Sequence, residues 1–391
     1  MPRKAKPKVP KPKPVPAERT DAAVAALTEP VERLPYIPDT DLLSTGCTVL
    51  NMAFSGRPGG GIPKGTYLYT VGDSGTLKTW LGFNLFAEAN LNPYFDGYSF
   101  VFDNAENGAL MDIPRYFGRG VLDRMRPPKG TLKAPENSAT VQQFYYNLTA
   151  ACRKPCIYLL DSMDALNDDA DDEKFAAELK YYETGKGASD IPGSMGMQKA
   201  KTNSKNINRV VQALRDTGSI LVIISQTRDK IGARFPTKTR GGGHALQFFA
   251  HLQVWTSKAA EITRTYLRKD RTVGAEIKAD VRKNRVCGWE DAVTVHHLKE
   301  YGVDDIGSSI AYLLGEKHWE TVKRAKGDDG GEVETSRFVA PEFDFTGTAE
   351  QLAKHLIDAN REWDLSVLVA RVWNDIARGA APYRRPKYGV T

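Results

Sequence analysis

The stretch YTVGDSGTLKTWLG, residues 69–82, joins an apolar strand-like run to a helical run through a loop with glycines, a lysine and a threonine. Its order is close to the phosphate-binding pattern of Gly, four residues, Gly, Lys and then Ser or Thr. Leu77 stands where that pattern has its second glycine. The stretch is therefore either a nucleotide site or a glycine-containing turn before a helix.

Phosphate binding assigns a role to each part of this loop. Gly72 and Gly75 permit the positive φ values that turn backbone N–H groups toward an anion at a helix N-terminus. Lys78 would reach the β and γ phosphates, and the Thr79 hydroxyl would hold Mg²⁺. The residues predicted to contact the nucleotide are Gly72, Asp73, Ser74, Gly75, Thr76, Leu77, Lys78 and Thr79.

Strand-like and helical runs alternate on both sides of the loop. Apolar runs end near residues 104, 162 and 226, and helical runs cover residues 78–91, 141–154 and 206–218. This alternation is typical of βαβ units and predicts an α/β fold with a doubly wound, mainly parallel sheet. Between 167 and 206 the sequence is polar and predicts a long, loop-rich insertion.

Three of the predicted strands end in polar residues that suit phosphate chemistry. Asp161 could hold the water shell of Mg²⁺, although Asp in this position also caps helices. Glu106 is the preferred candidate for the carboxylate that activates water, and Asp103 is the second candidate. Gln226 could hydrogen-bond a γ phosphate and respond to its loss.

Composition restricts the class of protein. The chain has 391 residues, 41% of them apolar, and its longest apolar runs, such as residues 220–225, have the length of a strand. A membrane span needs roughly 20 residues, so we expect no membrane partner and a cytoplasmic protein. Residues 1–13 carry six basic residues and no acidic one, and YRRPKYG at 383–389 is also basic. Basic tails favour polyanions or simply solvate the chain.

Together these motifs resemble those of the RecA family of ATP-dependent DNA-strand-exchange proteins, over roughly residues 42–320. The similar segments are LLSTGCTVLNMAFSG at 42–56, the loop already quoted, FDNAENGALMD at 102–112, CIYLLDSMDAL at 156–166 and IISQTRDKIGARFPTKTRGGGHALQFFAHLQVW at 223–255. The last segment is the most specific, because it combines the family's sensor glutamine with its second DNA-binding loop and the helix and strand that follow.

The resemblance implies a RecA-like P-loop ATPase core that uses ATP and Mg²⁺. It makes Lys78 and Thr79 the phosphate and metal residues, Asp161 the Mg²⁺-shell carboxylate, Glu106 the water-activating base and Gln226 the γ-phosphate sensor. It also makes Tyr116 a candidate for stacking on adenine. Lys283 and Arg285, in RKNRV, match the cations that family members insert into a neighbouring subunit's ATP site.

The same resemblance predicts the domain organisation and the partners. Residues 1–40 would be a disordered basic arm with at most a short helix, 41–300 the ATPase core, and 301–391 a small α+β domain with a basic tail. Two DNA-binding loops are expected at about 167–206 and 228–243. The residues predicted to contact single- and double-stranded DNA are Lys199, Lys201, Arg228, Lys230, Arg234, Phe235, Lys238, Arg240, Gly241 and Gly242.

The expected function is that of a DNA-dependent ATPase that assembles on single-stranded DNA and promotes homologous pairing and strand exchange. A bulky residue such as Leu77 at this place resembles bacteriophage recombinases of the UvsX type, and this resemblance would place the protein in a host cytoplasm. The family's N-terminal polymerisation helix is poorly represented in residues 20–40, so two alternatives stay open. One is a ring-forming helicase or branch-migration motor, and the other is a nucleotide-gated DNA-binding or mediator protein without useful turnover.

Overall fold

The protein, here a computed structural model, is described over residues 37–184, 197–229, 238–240, 243–325 and 332–382. Residues Ile37–Arg378 form one compact unit. The strands within these ranges are β1 Leu42–Leu43, β2 Ile62–Pro63, β3 Tyr67–Gly72, β4 Ser99–Asp103, β5 Met125–Arg126, β6 Lys129–Thr131, β7 Ala134–Glu136, β8 Cys156–Leu160, β9 Ile220–Asp229, β10 Lys238–Arg240, β11 Leu252–Tyr266, β12 Lys269–Asn284, β13 Ala292–Leu298, β14 Gly302–Asp304, β15 Glu320–Ala325, β16 Glu332–Ala340 and β17 Phe345–Gly347.

Helices lie between these strands and after the last of them. They are α1 Thr48–Ser55, α2 Lys78–Leu91, α3 Ile113–Phe117, α4 Arg119–Arg124, α5 Val141–Ala151, α6 Asp169–Thr184, α7 Met197–Thr217, α8 His244–Phe249, α9 Asp305–Gly315, α10 Ala349–Asp358 and α11 Glu362–Ala380.

Among the described strands, one large sheet dominates, with the order β14-β13-β12-β11-β3-β9-β8-β4-β5 and with β10 paired to β9. The strands from β11 to β5 in this order are parallel to their neighbours. The strands β12, β13 and β14 continue the sheet in antiparallel pairing. The prediction of a mainly parallel α/β sheet is therefore confirmed.

Side chains of the central strands alternate between two hydrophobic cores, one on each face of the sheet. In β9, Ile220, Val222 and Ile224 lie in the core shared with α1 and α2, whereas Leu221 and Ile223 lie in the core shared with α5 and α7. Successive side chains of a strand point to opposite faces, so a strand covered on both faces is apolar throughout. This burial explains the continuous apolar runs in the sequence.

The described C-terminal helices, in the region expected to be a small domain at 301–391, pack on the core of the sheet. Helix α9 packs against α1 and β13. The backbone N–H of Thr48 donates to Asp305 at 2.5 Å, and the Thr48 hydroxyl bonds Ser366 at 2.9 Å. Leu352, Leu365 and other apolar residues of α10 and α11 belong to the core that α1 and α2 share. The sequence did not reveal this because core membership depends on contacts between residues some 250 to 320 positions apart.

The segment 167–206 is largely helical, contrary to the expectation of a loop-rich insertion. Helix α6 covers Asp169–Thr184, and α7 begins at Met197; residues 185–196 lie outside the described residues. The acidic run DADDEK lies in the first turns of α6, where the positive end of the helix dipole stabilises negative charge. Ala, Leu, Lys and Glu then follow, and these residues have high helix propensity.

Leu77 is the residue just before α2. Its backbone, with φ 75° and ψ −5°, lies in the left-handed region. A side chain costs about 1–2 kcal/mol in this region. The Leu77 side chain is only 7% exposed and packs in the larger core. Burial of a leucine is worth about 2–5 kcal/mol, measured as the cost of Leu→Ala, so packing outweighs the strain.

We predict that Leu77→Ala is less stable than Leu77→Gly, and that both are less stable than the wild type. Alanine loses the packing and keeps the strain, whereas glycine loses the packing but relieves about 1 kcal/mol of strain. Urea unfolding would measure the order. The control is Leu91→Ala, at an exposed leucine at the end of α2, which should change the free energy of unfolding by less than about 0.5 kcal/mol. A Leu77→Gly variant more stable than the wild type would show that strain dominates.

Asn284 ties the end of β12 to the C-terminal turn of α1. Its amide donates to the carbonyls of Ala53 at 3.0 Å and Phe54 at 3.1 Å. Its carbonyl oxygen accepts from the backbone N–H groups of Val286 at 2.8 Å and Cys287 at 3.1 Å. The side chain is 8% exposed, so water cannot readily replace these partners.

We predict that Asn284→Ala lowers the free energy of unfolding by about 2–4 kcal/mol, because it leaves several buried backbone groups without a partner. Chemical denaturation of the purified variant would measure the loss. The control is Asn206→Ala, since the Asn206 amide only returns to the Thr202 carbonyl one helical turn earlier. A loss below about 0.5 kcal/mol at position 284 would contradict the role given to this side chain.

Candidate functional site

The loop between β3 and α2 is held in shape by contacts with β11. The Thr76 hydroxyl lies 2.7 Å from the Asp73 carbonyl oxygen and 2.9 Å from the Thr256 hydroxyl. A Cβ on Gly72 would lie 2.3 Å from the Thr256 hydroxyl oxygen, so only glycine fits there. Gly75 has φ 71°, as a loop that turns its N–H groups inward requires.

A cavity of about 120 Å³ opens on this loop. The residues that line it are Ser74, Gly75, Thr76, Leu77, Lys78, Thr79, Trp80, Glu106, Asp161, Ile224 and Gln226. The parallel strands β3, β4 and β8 end here, and β9 reaches the same edge of the sheet at Gln226 before it continues to Asp229. The fold thus brings together the loop, Asp161, Glu106 and Gln226, which are far apart in sequence.

Thr79 and Asp161 form a pair at the floor of this cavity. The Thr79 hydroxyl donates to Asp161 Oδ2 at 2.6 Å. No helix begins at Asp161 in the described residues 161–168, so the capping alternative does not apply. Burial raises the pKa of Asp161, and the Thr79 hydrogen bond opposes that rise. A hydroxyl beside a carboxylate supplies the oxygen donors that Mg²⁺ prefers.

Lys78 lies among carboxylates and is 7% exposed. Its Nζ donates to the Asp73 carbonyl oxygen at 2.5 Å. Burial lowers the pKa of Lys78, whereas the charges of Asp161, Glu106, Asp73 and Asp164 raise it. A phosphate would have to replace the carbonyl oxygen as the partner of this ammonium group.

Glu106 and Gln226 are in direct contact. Gln226 Nε2 donates to Glu106 Oε1 at 2.8 Å, and the Ser162 hydroxyl donates to the same oxygen. The backbone N–H of Glu106 donates to the Asp161 carbonyl at 3.0 Å, which fixes the position of Glu106 relative to Asp161. The residue proposed to activate water and the residue proposed to sense the γ phosphate therefore share a hydrogen bond.

Two residues that the sequence analysis missed position this pair. Ser162 bonds Glu106, and Asp164 Oδ2 accepts from the Gln226 backbone N–H and the Ser225 hydroxyl, each at 2.7 Å. Both lie within three residues of Asp161, directly after a strand that ends at the site. Their position in the sequence could have identified them, because polar residues that directly follow a strand lie at the same edge of the sheet as the end of that strand.

Asp103 has a different environment from Glu106. It is fully buried, and its carboxylate accepts hydrogen bonds from the Ser138 backbone at 2.8 Å, the Ser138 hydroxyl at 2.6 Å and the Tyr158 hydroxyl at 2.7 Å. Burial raises its pKa. Asp103 does not line the cavity and holds β4, β8 and the residues before α5 together, so the geometry favours Glu106 as the base.

Tyr116 lies beside the small cavity rather than in it. It lines a larger cavity of about 620 Å³ that runs along α2. Trp80 lines both cavities, and its ring meets that of Tyr116 at 4.9 Å between centroids with an interplanar angle of 71°. Trp80, which directly follows Thr79, is a further aromatic residue at the site that the sequence analysis missed.

Lys283 and Arg285 contact the C-terminal end of α8 in their own chain. Lys283 Nζ donates to the carbonyls of Gln247 at 2.8 Å and Phe248 at 2.5 Å, and Arg285 donates to Phe248 at 3.0 Å. Cations are favourable at helix C-termini. Burial, and then the neighbouring Arg285, lower the pKa of Lys283 to about 8. Neither residue lines the small cavity of its own chain.

The two ends of the predicted second DNA loop are paired as antiparallel strands. Strand β9 continues past Gln226 to Asp229 and pairs with β10, with Thr227 opposite Arg240 and Asp229 opposite Lys238. Arg228, Lys238 and Arg240 therefore have defined backbone positions in this stem. The predicted residues Lys230, Arg234, Phe235, Gly241 and Gly242 lie outside the described residues.

The two predicted DNA contacts in the first segment differ from each other. The Lys199 ammonium donates to the Leu166 carbonyl and is half-buried, so it is engaged within the protein. Lys201 is exposed on α7. Position on the helix explains the difference, because residues two apart on a helix point in different directions.

No helix within the described ranges is long and apolar enough to cross a membrane. The same ranges contain no group of three His, Cys, Asp or Glu residues that could hold a metal ion. A cation at Thr79 and Asp161 would therefore take its other ligands from phosphate or water.

Comparison with known proteins gives a consistent result. The family model "RecA N-terminal domain" matches residues 186–304, a range that includes Gln226, Lys283 and Arg285. The chain is 26% identical over 289 residues to the protein RecA of Colwellia psychrerythraea, covering 73% of each chain. It is 24% identical over 275 residues to the protein RecA of Cytophaga hutchinsonii, covering 70% of this chain and 68% of the relative. The chain is thus similar to these RecA proteins over 70–73% of its length.

Proposed function

We propose that the protein is a DNA-dependent ATPase that assembles on single-stranded DNA and promotes homologous pairing and strand exchange in recombination and repair. The observation that carries the proposal is the hydrogen bond between Glu106 and Gln226 in the cavity beside the phosphate loop. It connects the residue suited to hydrolysis with the strand that leads into the predicted DNA loop. The similarity to RecA proteins supports the same conclusion.

The polar residues in and around the cavity each have a task in the proposed hydrolysis of ATP. The loop N–H groups and Lys78 would bind the phosphates, and Thr79 and Asp161 would hold Mg²⁺, which would neutralise phosphate charge. Glu106 orients and deprotonates the attacking water. Ser162 positions Glu106 by donating a hydrogen bond to it, and Asp164 fixes the backbone of Gln226.

The adenine base fits the aromatic side of the site. Trp80 lines both the phosphate cavity and the larger cavity, and Tyr116 contacts its ring. Aromatic rings offer the flat apolar faces on which a base stacks. We assign the base to Trp80 and Tyr116 together, whereas the sequence pointed to Tyr116 alone.

The ATP site would lie between neighbouring copies of the chain. Lys283 and Arg285 do not reach their own phosphate cavity, so as arginine-finger cations they would act on a partner's nucleotide. A head-to-tail contact of this kind produces a helical filament or, if the rotation closes, a ring. We propose the filament, with single- and double-stranded DNA as the nucleic acid partners and a cytoplasmic location. The relationship to bacteriophage UvsX-type recombinases stays a prediction.

We predict that Glu106→Gln lowers DNA-stimulated ATP turnover by about 100-fold or more while ATP-analogue binding persists, because the amide cannot accept the proton from water. Lys78→Ala should instead abolish nucleotide binding, since it removes the buried ammonium group. Phosphate release and equilibrium binding of a fluorescent ATP analogue would measure the two effects. Glu290→Gln, at an exposed glutamate away from the cavity, is the matched control.

Two results would contradict these assignments. Phosphate release unaffected by Glu106→Gln would remove the base from the mechanism. An ATP analogue that binds Lys78→Ala as tightly as the wild type would show that the loop is not the phosphate site.

We further predict complementation between inactive variants. Glu106→Gln and the double variant Lys283→Ala/Arg285→Ala should each be inactive alone. An equal mixture should recover about a quarter of the wild-type turnover, because random assembly gives about one seam in four with an intact base on one side and intact cations on the other.

A mixture with no more activity than its components would show that the cations do not act across a subunit seam. Electron microscopy with single-stranded DNA and a non-hydrolysable ATP analogue distinguishes the modes of assembly. Helical filaments are expected, and closed rings in their place would favour a helicase or branch-migration motor.

A further inference from the structure

Asp73 of the phosphate loop connects two parts of the site that the proposed mechanism treats separately. Its carbonyl oxygen accepts from Lys78 Nζ at 2.5 Å and from the Thr76 hydroxyl at 2.7 Å. Its carboxylate Oδ1 accepts from the hydroxyl of Thr227 in β9. The residue that holds the phosphate-binding lysine therefore also holds β9 just beyond the sensor.

Thr227 is the point at which β9 changes its neighbours. Up to Gln226 the strand pairs with β3, and the last pair is Gly72 with Gln226. From Thr227 onward it pairs with β10, beginning with Thr227 opposite Arg240. Thr227 is thus the first residue of the stem, defined as residues 227–229 and 238–240, that carries the predicted DNA loop.

Gln226 and Thr227 contact different parts of the phosphate site. Successive side chains of a strand point to opposite faces. Gln226 contacts Glu106, whereas Thr227 contacts the loop through Asp73. Two separate hydrogen bonds at consecutive residues therefore connect the stem to the site, and only the first involves the proposed sensor.

A bound triphosphate must disturb the contact made by Asp73. Lys78 has to exchange the Asp73 carbonyl for phosphate oxygens, which removes a charged donor from that residue. The Asp73 carboxylate is also close enough to the ammonium group to affect its charge balance, so added phosphate charge acts on it directly. Hydrogen bonds to charged groups are among the stronger ones, so a change in the charge around the Asp73 carboxylate alters the strength of its bond with Thr227.

We propose that Asp73 and Thr227 are positioning residues, whose hydrogen bond transmits the state of the phosphate site to the stem of the DNA loop. This inference rests on the proposed function for its DNA readout. It assigns a second connection between the phosphate site and the stem, in addition to Gln226. Thr227 has no other task in the proposed hydrolysis of ATP, and Asp73 has only its contacts within the loop.

The test compares Thr227→Val, which removes the hydroxyl and keeps the branched shape favoured in strands, with Thr227→Ser, which keeps the hydroxyl. The first readout is the ratio of single-stranded DNA dissociation constants with ADP and with a non-hydrolysable ATP analogue. Thr227→Val should reduce this ratio about tenfold, the usual size of a lost hydrogen bond to a charged group, and Thr227→Ser should stay within about twofold. The double variant Asp73→Ala/Thr227→Val should reduce the ratio no further than Thr227→Val alone, since both substitutions remove the same hydrogen bond.

The chain offers a matched control. Thr265 donates to Asp270 at 2.6 Å on the exposed hairpin of β11 and β12, so Thr265→Val removes a Thr–Asp hydrogen bond remote from the site. This variant should keep the wild-type ratio. A loss of DNA affinity equal with both nucleotides in Thr227→Val would leave the ratio unchanged, indicate a structural role alone and overturn the inference.

A second readout separates the inference from the proposed function. Amide hydrogen exchange of the stem is measured with and without the ATP analogue and Mg²⁺, in the absence of DNA. A nucleotide-induced change in the wild type and Thr227→Ser that is lost in Thr227→Val supports the inference, even if DNA affinity in the wild type proves independent of nucleotide and the proposed function fails. A stem that does not respond in the wild type, or responds equally in Thr227→Val, refutes it.

Discussion

Parallel pairing of β4, β8, β9 and β3 places four strand ends on one edge of the sheet, and the candidate site depends on this constraint. Strand β3 delivers the phosphate loop, β8 delivers Asp161, and β9 delivers Gln226. Glu106 follows β4 and is fixed by its backbone bond to Asp161. An antiparallel neighbour would send the residues that follow it to the opposite edge of the sheet.

Charge in the cavity is unbalanced in a way that bears on assembly. One buried ammonium group, that of Lys78, lies within the influence of Asp161, Glu106, Asp73 and Asp164. A triphosphate adds further negative charge, so the chain's own lysine cannot compensate it. In the proposed function, Mg²⁺ and cations of a neighbouring chain would supply positive charge. Lys283 and Arg285 currently satisfy carbonyl groups at the end of α8, and they would give up those partners on reaching a neighbour's phosphates.

The sequence predicted the sheet, and it singled out residues that the fold brings to one cavity, because these signals are local. Apolar runs that end in Asp161 or Gln226 identify buried parallel strands and the polar residues at their ends. Contacts made across the fold were not predictable in this way. The role of Asp103 depends on Ser138 and Tyr158, and the engagement of Lys199 depends on the Leu166 carbonyl. The helical state of α6 could have been read from its acidic first turns, but the overall polarity of the segment was taken to indicate a loop.

In the proposed function, Leu77 has a consequence for the entropic cost of binding a nucleotide. Its buried side chain, together with the contacts of Thr76 with Thr256, fixes the loop through the protein's own packing. A glycine at that position would leave the backbone a wider choice of conformations, and binding would then have to select one of them. Here the selection is made when the chain folds, so the loop would lose less conformational entropy when a phosphate binds.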